Sequence, residues 1–127
     1  MLSTVEISSA GTSALEGSRA SETAVRVAGK HSIDLSDHRS TFLNRTLVKD
    51  VDLIITMGSK HRQTVGVIDP PALAYTYLLT DFCDDEEGDV ADPIGMDEDG
   101  YEATYAMLEK CIRGLMDKLE SFDGWKK

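Results

Sequence analysis

The stretch Asp52-Leu53-Ile54-Ile55-Thr56-Met57 limits what this chain can fold into more than any other. Its Leu-Ile-Ile run leaves no polar face, so it reads as a strand buried on both sides, the habit of a parallel sheet covered by helices. Gly58-Ser59 turns the chain after it. Ser59 is placed to cap a helix over Lys60 to Val67, and Asp69-Pro70-Pro71 stops that helix, because proline lacks the N–H and clashes with the turn before it. Tyr75 to Leu79 is a further strand candidate. Strand, helix, strand in that order is the signature of an α/β layered domain.

The rest of the chain fits around this unit. Thr4 to Ser8 reads as a strand, with Val5 and Ile7 alternating against polar neighbours. Ser9 to Ser13 is a small-residue turn. Ser21 followed by Glu22 starts a helix, with Ala24, Val27 and Ala28 on one face and Gly29 as its stop. Ile33 and Leu35 are expected to plug the edge of the core. Asn44 caps a short helix through Val48 that carries Leu47 and Val48 inward. The longest helix follows Asp97 to Asp99. In it Tyr101, Tyr105, Leu108, Ile112, Leu115 and Leu119 step by three or four into one apolar stripe. Cys111 lies beside that stripe as half-buried core. Gly114 interrupts the helix at roughly 1 kcal/mol against Ala. Lys118 and the terminal lysines suit the helix end, and Trp125 either packs back or stays exposed. The 127 residues make one domain, 1–127, without repeat or linker.

Charge and cysteine usage exclude several function classes. A formal charge of -10 argues against nucleic acid, which needs clustered Lys and Arg. No apolar run is long enough to span a membrane. The start Met1 to Glu6 has neither basic flank nor apolar core, so a cytoplasmic location is expected. Nine Asp or Glu fall between Asp84 and Asp99, a solvated acidic loop without the order of a calcium loop. Cys83 and Cys111 are far apart in sequence and read as free thiols. His31, His38 and His61 are scattered. Neither a metal nor a cofactor is expected.

One acid stands out. Asp92, in Gly88-Asp89-Val90-Ala91-Asp92-Pro93-Ile94-Gly95, sits in a loop after a strand end. In parallel α/β folds ligands bind outside the carboxyl ends of the strands, so this loop is on the side of a site.

Four local patterns occur in register. They are Ser9-Ala10-Gly11-Thr12 after the first strand, His38-Arg39-Ser40 with Leu43, Val51-Asp52-Leu53-Ile54 with Met57 and His61, and Gly88 to Pro93 with Tyr101. With them the chain resembles the low-molecular-weight protein tyrosine phosphatases, which include bacterial arginine phosphatases and relatives of thioredoxin-coupled arsenate reductases. The resemblance implies a flavodoxin-like, four-stranded parallel sheet with flanking helices. It also implies hydrolysis of a phosphoprotein through a phosphocysteine. In that chemistry a thiolate from a C-x5-R-S loop attacks phosphorus, and loop amides, a helix N-terminus and the Arg hold the phosphoryl oxygens. An Asp-Pro acid protonates the leaving group. Asp92 matches that general acid. Where the family usually has an aromatic residue after Asp-Pro, this chain has Ile94, which weakens stacking on the substrate.

The resemblance also implies a gap. The chain starts where the family's second strand starts, so the first strand, the phosphate loop and the first helix have no counterpart and the fold is expected to be truncated at its N-terminus. Neither cysteine replaces the nucleophile: the sixth residue after Cys83 is Asp89, and after Cys111 it is Asp117. Asp84, Asp85, Glu86 and Glu87 would raise the pKa of Cys83 and repel a phosphate dianion. The chain alone is therefore expected to be inactive. The family strand order 2-1-3-4 leaves Thr4–Ser8 and Leu53–Met57 with open edges. Those strands either pair directly, join a second copy in a homodimer, or accept a strand from another polypeptide, with the first two favoured. The alternative to an enzyme by descent is a non-catalytic binding or regulatory module whose acidic loop, Asp84 to Asp99, meets a basic partner. A fragment with no role of its own is the third reading.

Overall fold

The computed structural model describes residues 5–121. In chain order its elements are α1 (Glu22–Lys30), α2 (Arg45–Lys49), β1 (Ile54–Thr56), α3 (Ser59–Ile68), β2 (Thr76–Leu78) and α4 (Glu98–Ser121). Short 3-10 segments cover Pro70–Tyr75 and Leu79–Phe82. β1 and β2 pair in parallel, with Ile54 opposite Thr76, Ile55 opposite Tyr77 and Thr56 opposite Leu78. The crossover between them is α3 with the first 3-10 segment, so the centre of the molecule is a βαβ unit.

The alternation of side chains along β1 divides the core. Ile54 packs with Leu43, Val48, Val65, Ala72, Ile68 and Tyr75 on one face. Ile55 packs with Leu79, Val90, Cys111, Met107, Leu108 and Leu115 on the other. A period of two sends neighbouring residues to opposite faces, which is how three strand residues serve two layers. The expected α/β parallel arrangement is present, but its strands are shorter than expected, and Ile54 and Ile55 are half-buried instead of enclosed. Among the described residues β1 has a strand neighbour on one edge alone, so part of its surface stays open.

The first expected strand is not formed. Thr4 lies outside the described residues, Val5 to Ser8 is irregular, and Ile7 is 91% exposed. Among the described residues no ladder joins this segment to β1, so the expected direct pairing is not seen there. The chain finds partners later. Gly11 N–H donates to Thr41 O at 2.9 Å, Leu43 N–H to Gly11 O at 3.0 Å and Ser40 N–H to Ser18 O at 2.8 Å. This ties residues 11–19 to residues 39–43 through isolated bridges at Gly11–Phe42 and Arg19–Arg39.

The helix starts agree with the side chains that cap them. Ser21 Oγ accepts from Ala24 N–H at 3.1 Å, and Asn44 Oδ1 from Leu47 N–H at 3.0 Å. α1 runs past Gly29 and ends in a left-handed turn at Ser32, φ 65°, where Ile33 N–H returns to Ala28 O at 2.9 Å. That turn leaves Ile33 on the surface and Leu35 half-buried, so Ile33 does not plug the core.

On α4 the expected stripe holds except at one position. Cys111 is fully buried, not half-buried, while Ile112 is 42% exposed. Both positions satisfy steps of three and four from Leu108. The second 3-10 segment decides between them, since it packs on the face that carries Gly114 and Leu115. α1 is clasped to the start of α4 by polar contacts. Arg26 Nε and Lys30 Nζ each reach Glu98 at 2.7 Å, Ser21 Oγ meets Tyr101 Oη at 3.1 Å, and His31 Nε2 meets Glu102 at 2.7 Å. His31 also stacks on Tyr105 with ring centroids 3.7 Å apart. Trp125 and the terminal lysines lie outside the described residues. Among the described residues no helix is long and apolar enough to cross a membrane.

Candidate active site

The acidic loop is built from its two ends toward Asp92. Thr80 Oγ–H donates to Gly88 O at 2.6 Å, which fixes the loop to the buried end of the second 3-10 segment. Gly88 has φ 78°, a left-handed turn that favours glycine, and it redirects the chain toward β1. Val90 N–H then donates to Met57 O at 2.7 Å, and the Val90 side chain is buried beside Cys111. Asp89 Oδ1 accepts from Ser59 N–H at 2.9 Å, which puts a carboxylate on the N-terminus of α3. Gly58 leaves room for it: a Cβ there would lie 3.1 Å from the Asp89 carboxyl carbon. Ser59 is thus the first helical residue and not the cap. The expected Ser59 cap fails because a residue 30 positions away supplies the oxygen.

These contacts hold the loop across the carboxyl end of β1. Past Val90 the chain becomes exposed. Thr104 Oγ–H reaches Ala91 O at 3.5 Å, and Met96 N–H donates to Pro93 O at 2.8 Å. Asp92 Oδ1 accepts from Ile94 N–H at 3.1 Å, an Asx turn made by its own carboxylate. Its Oδ2 takes no hydrogen bond among the described residues. Pro93 restricts Asp92 to extended backbone. The result is an exposed carboxyl group, oriented by one oxygen and open at the other. Met57, Ile94 and Met96 are exposed apolar residues of the same segments, Ile94 at 74%.

The other chemistry-bearing residues are not gathered around Asp92. No hydrogen bond or ion pair joins His38, Arg39 or His61 to it among the described residues. Arg39 Nη1 is spent on the carbonyls of His38 at 2.9 Å and Ser36 at 3.3 Å. Cys83 Sγ–H donates to Asp85 Oδ1 at 3.1 Å, and that contact with burial pushes its thiol from 9.0 up to about 11. A thiol held protonated in this way is a poor nucleophile. Lys110 Nζ bridges Asp85 at 3.2 Å and Glu86 at 2.6 Å, and its pKa is raised, first by Glu86 and then by Asp85. The Lys110 charge beside the acidic loop is therefore already paired. No group of three or more His, Cys, Asp or Glu suited to a metal ion occurs among the described residues. Sequence reasoning singled out Asp92 and missed Asp89, Thr80 and Thr104, whose partners are set by tertiary contact alone.

Known proteins share this fold. The profile of the family described as low molecular weight phosphotyrosine protein phosphatase matches residues 1–123. A probable low molecular weight protein-tyrosine-phosphatase, AmsI of Erwinia amylovora, is 35% identical over 114 residues, 90% of this chain and 78% of that protein. A protein-arginine-phosphatase of Geobacillus stearothermophilus is 34% identical over 117 residues, 92% of this chain and 78% of that protein. The solved YwlE arginine phosphatase from Geobacillus stearothermophilus superposes with a TM-score of 0.87 at 34% identity, covering 94% of this chain and 77% of that one. The solved AmsI tyrosine phosphatase gives 0.79 at 33% identity, covering 85% and 70%. The parallel βαβ unit, the loop crossing the end of β1 and these matches have one explanation: the chain belongs to the low molecular weight phosphotyrosine protein phosphatase family.

Proposed function

We propose that this chain supplies the acid side of a phosphatase site, with Asp92 as the proton donor to the leaving group of a phosphoprotein. The observation that carries this reading is the open Oδ2 of an exposed Asp92, on a loop fastened across the carboxyl end of β1. In the reaction a cysteine thiolate forms an S–P bond as the P–O or P–N bond to the leaving group breaks. The Asp92 proton goes to the departing oxygen or nitrogen. Water then attacks phosphorus, Asp92 takes the proton of that water, and the thiolate leaves.

Residues 1–127 contain no C-x5-R, Cys83 is held as a thiol in acidic surroundings, and Cys111 is enclosed in the core. We therefore infer that the 127 residues by themselves do not turn over a phosphomonoester. A non-catalytic module on the same scaffold is the second reading, in which the acidic loop Asp84 to Asp99 meets a basic partner.

Two measurements separate the readings. The purified chain is incubated with an aryl phosphate, with and without vanadate. Vanadate-sensitive turnover at the rate of a relative defeats the inference of inactivity. The chain is then joined at its N-terminus to the strand, C-x5-R loop and helix of a relative. In that protein Asp92→Asn is expected to slow phosphorylation of the enzyme by a poor leaving group about 100-fold and by a good one far less. Equal rates for both leaving groups make Asp92 a turn former only. No turnover in the joined protein, with its fold intact, favours the module.

A further inference from the structure

The two cysteines, 28 positions apart in sequence, come together in one hydrophobic cluster. Cys83 closes the 3-10 segment Leu79–Phe82 and packs against a cluster containing Leu79, Val90 and Cys111. One turn beyond Cys111, the backbone of α4 comes so close to the same segment that a Cβ on Gly114 would sit 2.0 Å from Phe82 O. Both cysteines are free; Cys111 is buried, and Cys83 is half-buried. We propose that Cys83 and Cys111 form a dithiol site that a peroxide converts to an intramolecular disulfide, locking the segment that carries Asp92.

The chemistry balances with peroxide as the oxidant. The minor thiolate fraction of Cys83 attacks one peroxide oxygen; an S–O bond forms, the O–O bond breaks, and the departing hydroxide takes up the proton that Cys83 had lost and leaves as the first water. The Cys111 sulfur then attacks the Cys83 sulfur; the S–S bond forms, the S–O bond breaks and the second water leaves with the Cys111 proton. Cys83 is the entry point because it alone reaches solvent. Cys111 is the resolving thiol, because it is enclosed with Cys83 in one cluster.

The ring closed by this bond runs from 83 to 111. It contains the acidic loop, Asp92 and the first half of α4. Oxidation therefore adds a covalent tie at a point that in the reduced protein is held by packing and by the Lys110 pairs with Asp85 and Glu86.

Asp85 sets the rate. The Cys83 thiol donates to Asp85 Oδ1, and Asp85 is held in turn by Lys110, which also pairs with Glu86. Asp85 and the neighbouring Cys111 both hold Cys83 in its protonated form. The thiolate fraction climbs as pH rises toward about 11, and oxidation accelerates with it.

The test is made on the full chain with hydrogen peroxide in native buffer. Expected are a loss of about 2 Da, a linked Cys83–Cys111 peptide, reversal by dithiothreitol, and slower amide exchange at residues 88–94 in the oxidised form. Cys83→Ser, at the more exposed position, abolishes the mass change while circular dichroism reports an intact fold. Asp85→Asn accelerates the reaction several-fold below pH 9. A covalent dimer, stable addition of two or three oxygens to Cys83, an unchanged mass, or a bond that forms only in denaturant each overturns the site. An Asp85→Asn rate equal to that of the parent overturns the gating. The readouts are mass and exchange, so failure here leaves the acid role of Asp92 standing, and failure of that role leaves the dithiol site standing.

Discussion

Gly114 looks like a flaw in a long helix, since glycine costs about 1 kcal/mol against Ala in a helix interior. Its neighbours reverse that judgement. Phe82 O lies where a Cβ would go, 2.0 Å away, so the missing side chain lets α4 rest on the 3-10 segment. Gly114→Ala gains helix propensity but forces backbone apart, and overpacking of this kind costs about 1–3 kcal/mol. The variant is expected to be less stable by about 1 kcal/mol or more in urea denaturation, with its α4 helicity unchanged. A more stable variant rules out the close approach. Cys111 and Ile112 carry a related lesson. From periodicity alone either could have been the buried residue, because both continue the stripe from Leu108. The partner surface chose Cys111, and partner surfaces are not written in local sequence.

Elements here are held by their ends. α3 has no capping side chain of its own, and Asp89 on the acid-bearing loop supplies one through Ser59 N–H. Asp89→Ala is expected to destabilise the protein by about 1 kcal/mol, the usual cost of a lost cap, and to speed amide exchange both at residues 59–61 and at 88–92. Asp89→Asn keeps the accepting oxygen and is expected to behave like the parent. Exchange that rises on α3 alone shows that the loop does not depend on this contact. The α1–α4 clasp responds to acid. Glu98 has its pKa lowered from 4.5, mainly by Lys30 and then by Arg26. A depressed carboxylate contributes stability that is fully present above 4.5 and is lost as pH falls through the lower folded value. Glu98→Gln is expected to flatten the fall in Tm below that pH; the effect is small because these ion pairs are partly exposed. The caps Ser21 and Asn44 were legible in the sequence because a cap acts over three residues. The Asp89 cap and the Glu98 clasp were not, since 30 and 68 or more positions separate their partners.

At the scale of the whole molecule, the run Leu53-Ile54-Ile55 announced a parallel α/β fold, and Asp92-Pro93 announced the loop over the strand end. Both are local patterns tied to a general rule of sheet architecture. The extent of the sheet was not legible, because a strand is made by its neighbour and not by its own alternation. Val5 and Ile7 alternate well, yet without a ladder they stay irregular. Among the described residues this leaves one edge of β1 open, a template for another strand. We propose that a second copy fills it at high protein concentration. The formal charge of -10 opposes that contact, and salt screens the repulsion, with a Debye length of about 10 Å at 0.1 M and 3 Å at 1 M. Sedimentation velocity is expected to show an average mass that rises with concentration and rises further between 0.1 M and 1 M sodium chloride. Adding the strand, loop and helix of a relative at the N-terminus covers the edge and is expected to restore a monomer under both conditions. A monomer at every concentration and salt in the 127-residue chain refutes self-association, and the edge is then protected by some other part of the fold. A dimer that dissociates as salt is added refutes the edge-pairing account differently, since it assigns the contact to ion pairs and not to backbone hydrogen bonds.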